Sequence, residues 1–268
     1  MLLRALLPLA LALLPAHAES PPTPTPSPFA PVIQPLENGQ INWTELRLEV
    51  TTASERTVGA WKDRRVQEQD ALERVGPLLE ELARTLPVTR NEPYAQIADT
   101  KGTLLARLAS GIHDWEVVET RYLGTKGVAM TAGLRLDLWL APLLEHNAGP
   151  KVEPPPKDGP SGIVIDARGL RFVPAVVPEL RTAGPNPVVL MSLSQLGKDD
   201  GQHRIPVLYV SDPADLRAIA RAGARPVFLR ANAAEPGVLV TTDPLPCSEA
   251  VFAQLVAGRR VVVVATAQ

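Results

Sequence analysis

The chain has 268 residues, 45% hydrophobic and 21% charged, a balance that excludes a disordered, fibrous or multi-span membrane protein and allows one or two modest domains. Its 29 acidic residues slightly outnumber the 27 basic ones, giving a net charge of −2, so there is no global basic field for nucleic acid. Proline is the deviation, with 28 residues, many of them crowded near the N-terminus and around Lys151 to Lys157.

The first eighteen residues, MLLRALLPLALALLPAHA, carry one positive charge at Arg4, an apolar stretch, and the small-x-small end Ala16-His17-Ala18. That pattern predicts a secretory signal over 1–18, cut after Ala18, and a periplasmic location. The apolar run is too short for a bilayer crossing and is interrupted by Pro8 and Pro15, and no later stretch is long and apolar enough to span. A lipoprotein needs a cysteine at the cleavage point, whereas the single cysteine is Cys247, so the fold rests on its core without an internal disulfide.

Residues 19–40 contain ESPPTPTPSPFAPVIQPL, where proline alternates with Thr and Ser, and are expected to form an extended spacer. In INWTELRLEV (Ile41 to Val50), Leu46, Leu48 and Val50 share one phase opposite Glu45, Arg47 and Glu49, the period of a half-buried strand. From about Lys62 to Leu86, Leu72, Val75, Leu79, Leu82 and Leu86 recur at helical steps, predicting one long amphipathic helix bent near Gly76-Pro77. A second helix is expected from about Thr100 to Ser110, ended by Gly111. Next come two paired strands. Trp115 to Leu123 leads through Gly124-Thr125-Lys126-Gly127 into a long strand in which Val128, Met130, Ala132, Leu134, Leu136, Leu138 and Leu140 share a face. Trp139 falls on the opposite, wetter phase, which leaves two readings open, a partner surface or ordinary packing by the second domain.

A second proline-glycine stretch, AGPKVEPPPKDGPS over 148–161, marks the domain boundary. Beyond it, VLYVSDPADLRAIARAGARPVFLRA and VLVTTDPLPCSEAVFAQLVAGRRVVVVATA echo each other as strand, Ser/Thr-Asp-Pro, helix, Gly-x-Arg and strand. Asp212 and Asp243 are expected to cap the two helices, with Pro213 and Pro244 at the first helical position. The expected class is α+β: a small antiparallel sheet with packed helices over 41–147, a linker over 148–161, and a domain of mixed α/β character with two strand-helix-strand units over 162–268.

The possible chemistry is sparse. In SGIVIDARGL, Asp166 ends an apolar strand and Arg168 follows two residues later. An acid there can hold a metal or phosphate, but no second acid or glycine-rich helix start accompanies it, which favours a mutual pair anchoring a turn. Cys247 could act as a nucleophile with a histidine, but at a helix start it reads as a packing residue. His113, His146 and His203 lack the paired spacing of a zinc site, and there is no GxSxG, Walker A or GxGxxG string. No catalytic, metal or cofactor residue is therefore assigned. Asn42-Trp43-Thr44 matches a glycosylation sequon, a frequent chance occurrence.

Taken together, INWTELRLEVTTASE after a signal, the charged helix, the paired strands and GIVIDARGLRFVPAVVPEL resemble a family of exported bacterial proteins that includes the flagellar outer-membrane-ring proteins FlgP and FlgT and related small surface lipoproteins. The strings that carry the resemblance are Gly162 to Leu170 and Pro174 to Pro178; the lipobox cysteine of the lipoprotein members is absent. The resemblance implies a non-enzymatic structural or assembly protein of the cell envelope, with envelope or outer-membrane proteins, or further copies of itself, as partners. Two other readings remain open: a periplasmic small-ligand binder or enzyme using a cleft between the two domains, with Asp166, Arg168 and possible help from Cys247, and a cell-wall-binding module.

Overall fold

A computed structural model describes residues 30–54, 63–90, 92–99, 102–149, 153, 155, 158–198 and 204–266. The expected signal over 1–18 and the first part of the proline-rich segment lie outside the described residues, as does His203. The fold is α+β, with one antiparallel sheet followed by a parallel and a mixed one.

The first structured elements arrive earlier than the sequence suggests. Strand β1 (Ile33–Leu36) lies inside the stretch expected to be spacer, and Ile41 to Val50 is not one strand but the end of β2 (Gly39–Asn42), a turn, and the start of β3 (Arg47–Ala53). The turn forms because its polar side chains bond locally. Asn42 Oδ1 accepts from the Glu45 N–H at 3.0 Å, and Thr44 Oγ1 accepts from the Val32 N–H at 2.8 Å, while Trp43 is wholly buried between them. The apparent sequon is thus built into the fold. Leu46 takes a φ of 56°, so the alternation that seemed continuous crosses a chain reversal.

Two helices, α1 (Arg64–Glu73) and α2 (Val75–Thr85), replace the single bent one, and they part at Arg74. Pro77 lies in the first turn of α2, where a missing N–H costs nothing, so it helps start a helix rather than bend one. A short α3 (Tyr94–Asp99) precedes α4 (Gly102–Gly111), the predicted second helix. Strands β4 (Glu116–Tyr122) and β5 (Val128–Arg135) form the expected hairpin, with Gly124 and Gly127 at φ 65° and 101° in its turn. The sheet order is β1-β2-β3-β5-β4, antiparallel throughout.

The long strand predicted to reach Leu140 stops at Arg135, where α5 (Leu136–Trp139) and then α6 (Ala141–Asn147) begin. Leu136, Leu140, Leu143 and Leu144 recur at steps of four, three and one and are all buried, the spacing of a helix face. Leu138 is consequently 48% exposed, and Trp139 only 3% exposed. Trp139 offers no partner surface: its indole N–H donates to the Leu108 carbonyl at 2.8 Å and its ring lies 4.6 Å from that of Tyr94.

The second half contains β6 (Gly162–Asp166), β7 (Glu179–Thr182), β8 (Val189–Met191), β9 (Val207–Val210), α7 (Leu216–Ala222), β10 (Pro226–Arg230), β11 (Ala233–Glu235), β12 (Val238–Thr241), α8 (Glu249–Ala257) and β13 (Val261–Val264). A parallel sheet runs β10-β6-β13-β9, and a mixed one runs β11-β12-β7-β8. Both echoing segments are strand-helix-strand. In the first, however, β9 and β10 take opposite edges of the parallel sheet, and in the second β12 and β13 belong to different sheets.

The helix caps also differ from expectation. Asp215, not Asp212, caps α7 by accepting from the Arg217 N–H at 2.8 Å, and Ser248, not Asp243, caps α8. Asp212 instead accepts from the Ala214 N–H, and Asp243 from the Arg230 N–H. Two residues separate the first Asp-Pro from its helix and four separate the second, so each Asp-Pro lies in the turn before the helix rather than at its cap.

One apolar core runs through both halves, from Val32 to Ala265. Its seam is the extended segment Pro174 to Pro178. The Val176 and Val177 N–H groups donate to the carbonyls of Pro87 and Val88 at 2.9 and 2.8 Å, and the Tyr209 hydroxyl donates to the Ala175 carbonyl at 2.6 Å. Tyr209 also receives Trp43 edge-on, with ring centroids 5.6 Å apart.

Candidate functional site

In a parallel sheet, the carboxyl ends of the strands are where loops gather and ligands usually bind. Here that edge carries Asp166 at the end of β6, Arg230 at the end of β10, and Thr266 just after β13. The apolar run Ile163-Val164-Ile165 is fully enclosed, and its alternating faces pack against both sides of the sheet, so the chain can become polar only where the strand emerges at Asp166.

Asp166 and Arg168 are brought together as a closed pair. The Arg168 Nε donates to Asp166 Oδ1 at 2.9 Å, its Nη2 donates to Oδ2 at 2.7 Å, and its backbone N–H donates to Oδ1 at 3.1 Å. Gly169 follows at φ 79°, where a side chain would be strained, and its N–H donates to Thr266 Oγ1 at 3.1 Å. The motif is therefore a turn that ties the end of β6 to the end of β13. The Arg168 guanidinium, bonded to both oxygens, holds the Asp166 carboxyl below its usual range, and the more distant Arg230 acts in the same direction against partial burial. A carboxylate so engaged is a poor proton acceptor near neutrality.

The same device occurs a second time, unforeseen although visible in the sequence as another Asp-x-Arg. Asp215 accepts from Arg217 N, Nε and Nη2 at 2.8, 3.0 and 2.7 Å, in the same arrangement as Asp166. This recurrence, at a helix cap, marks the fork as a turn-forming element of the fold.

Cys247 is half-buried just before the Ser248 cap and packs against the main core. Burial pushes its thiol above the ordinary value, which disfavours the thiolate needed for nucleophilic attack. His113 and His146 are exposed. Among the described residues, no three His, Cys, Asp or Glu side chains converge as metal ligands.

A groove of about 410 Å³ does lie between the halves, bounded by Arg90, Glu92 and Asn147 on one side and Glu179, Ser192 and Ser194 on the other. Arg90 is held there by Glu235 at 3.1 Å and Glu179 at 4.0 Å. Asp166, Arg168 and Cys247 do not line it.

The surface features with no counterpart in the sequence reading are apolar. Helix α7 covers one face of the parallel sheet over Val164, Leu208, Val262 and Val264, yet the edge residue Phe228, in register with Val164, is left 63% exposed. On α7 itself Leu216 is 77% and Ile219 51% exposed. Val117, Val118 and Tyr122 are exposed on β4, the edge of the antiparallel sheet.

No helix among the described residues is long and apolar enough to cross a membrane. No family model and no curated protein matches the chain.

Proposed function

We propose that the chain is an exported, non-enzymatic assembly protein of the cell envelope that binds a neighbouring envelope protein along the β10 edge of its parallel sheet. The observation that carries this reading is the exposure of Phe228. Strands of parallel sheets are normally covered on both faces, and an aromatic side chain left open on an edge strand suits a partner that adds to that edge. An extended partner segment would bond the outward backbone groups of Phe228, the Arg230 N–H being held by Asp243, and bury the Phe228 ring against its own side chains.

The exported location rests on the leader-like residues 1–18. The class of machine rests on the resemblance of Gly162 to Leu170 and Pro174 to Pro178 to flagellar outer-membrane-ring and related surface proteins. The Asp166–Arg168 fork contributes by fixing the rim from which β10 is presented, since the Ala231 N–H donates to the Asp166 carbonyl at 2.9 Å.

The test is Phe228→Glu in the native host. The variant is expected to fold, judged by an unchanged thermal melt, and to lose co-purification of the envelope partner. Retention of the partner by the folded variant contradicts the reading.

A second reading is favoured by the groove at the joint. A small polar ligand held between Arg90, Asn147 and Ser192 would make the chain a ligand binder, with no role for Asp166 or Cys247. A ligand that raises the melting temperature of the wild type but not of Arg90→Ala would establish it.

A further inference from the structure

The β4 edge carries a pattern of its own. Every residue of this strand is exposed or half-exposed, and its outer side faces no other strand among the described residues. The Leu123 N–H donates to the Gly127 carbonyl at 2.9 Å. Alternation along an antiparallel ladder then turns the backbone groups of Arg121 and Glu119 toward β5, and those of Thr120 and Tyr122 outward. The faces are fixed as well. The Tyr122 hydroxyl donates to Glu68 of α1 at 2.9 Å, so Thr120 and Tyr122 share the helix-bearing face. Glu119 and Arg121 lie on the other face, with Arg121 Nε 3.5 Å from Glu119 Oε2.

We infer that β4 pairs with β4 of a second copy of this chain, antiparallel, with the two-fold axis at Thr120. In that register Thr120 opposes Thr120, and the outward N–H and C=O of each meet those of the other. Glu119 opposes Arg121 of the second copy and Arg121 opposes Glu119, so on one face each carboxylate gains a second guanidinium. The bulge at Val118 turns that side chain onto the face of Glu119 and Arg121, away from Tyr122, so the pairing rests on the Thr120 backbone and the two Glu119–Arg121 pairs rather than on apolar contacts.

Charge selects this register. An axis one residue earlier sets Glu119 against Glu119, and one residue later sets Arg121 against Arg121, and like charges directly opposite one another are destabilising. A parallel in-register pairing stacks both like pairs. The β-bulge between Val117 and Glu119 lies outside the central three pairs, so it limits the length of the ladder without blocking its centre. The result joins two antiparallel sheets into one continuous sheet, with the charged quartet on one face and the two α1 helices on the other.

A strand pair of this length is small beside the ~1,200 Å² at which stable interfaces begin. Association is therefore expected to be micromolar or weaker, and a trapping experiment is the appropriate readout. The inference stands apart from the partner site at β10 and from the location of the protein.

The experiment uses the full chain carrying Cys247→Ser, with Thr120→Cys or Glu116→Cys added and mild oxidation applied. Two residues facing each other across the axis have Cα atoms about 5.5 Å apart, inside the range a disulfide spans. Residue 116 from each copy is far apart in this register. Thr120→Cys is expected to form covalent dimer at least tenfold faster than Glu116→Cys. Adding Glu119→Arg or Arg121→Glu to Thr120→Cys should slow it about tenfold, and adding both together should restore it, because the opposed charges are exchanged. Equal rates at 120 and 116, single reversals without effect, or a double exchange that fails to restore the rate would each overturn the inference.

Discussion

Tyr209→Phe is the sharpest probe of whether the two halves behave as one body. Tyr209 sits in β9, in the second half, and its hydroxyl donates to the Ala175 carbonyl at 2.6 Å, while the Ala175 N–H lies 3.4 Å from the same oxygen. Ala175 is fully buried, so removing the hydroxyl leaves its carbonyl without a partner or access to water, although the ring keeps its contacts with Trp43 and Phe172. A buried polar group left unpaired costs about 1–3 kcal/mol, and a loss of about 2 kcal/mol is expected. With a urea slope of roughly 3 kcal/mol/M, the unfolding midpoint should fall by about 0.7 M.

The assay exploits an asymmetry in the sequence. The four tryptophans, Trp43, Trp61, Trp115 and Trp139, all lie in the first half, so their fluorescence reports on the half that was not mutated. Far-UV circular dichroism reports on both. If the core is continuous, both signals move together by the full amount. A fluorescence midpoint that stays in place while the dichroism midpoint falls, or a loss below about 0.3 kcal/mol, would refute the reasoning.

Three further outcomes follow from the same contacts. Asp215→Ala removes the cap of α7 and its Arg217 fork, at an expected cost of about 1.5 kcal/mol at neutral pH. Arg217 lowers the folded Asp215 pKa, so the stabilisation is present above the unfolded carboxylate value and is lost as pH falls through the folded one. Thermal melts should thus separate wild type from variant at pH 7 and bring them together in acid; a gap that widens in acid contradicts this. Leu138→Lys should change stability by no more than about 0.5 kcal/mol, whereas Trp139→Ala should cost about 3–5 kcal/mol; denaturant titration would show the reverse order if the strand continued to Leu140. Gly162→Ala should cost about 1–3 kcal/mol, because its Cβ would lie 2.5 Å from the Ala222 carbonyl oxygen at the end of α7; a neutral substitution would mean that α7 can shift away.

The sequence was most legible where one periodicity held without interruption. The β4–β5 hairpin and its glycine turn follow from alternation and turn chemistry, and the four-valine strand β13 from its unbroken apolar run. It misled where two periods overlap. Leu134, Leu136, Leu138 and Leu140 alternate as a strand would, and only the later Leu143 and Leu144 show that the helical spacing starts at Leu136. Leu46 made a similar error possible, since a leucine in left-handed geometry cannot be told from a strand leucine by its type. The turn reading of Asp166-Ala167-Arg168-Gly169 could be made from sequence because a single acid with no second ligand leaves few alternatives. The partnership of strands could not, because β9 and β10 are close in the chain yet separated in space by β6 and β13, which only long-range packing decides. Exposed residues such as Phe228 were equally hidden, since an apolar residue in an apolar strand carries no mark of which edge it occupies.

The most direct test of the proposed function is in-cell photo-crosslinking in the native host, with a photoreactive residue in place of Phe228 and, as a control, in place of the exposed Arg107 on α4. Mass spectrometry of the adducts should recover a specific envelope protein from position 228 and not from position 107. Adducts that are the same from both positions, or none from 228, would contradict the assignment of this chain as an envelope assembly protein that works through the β10 edge.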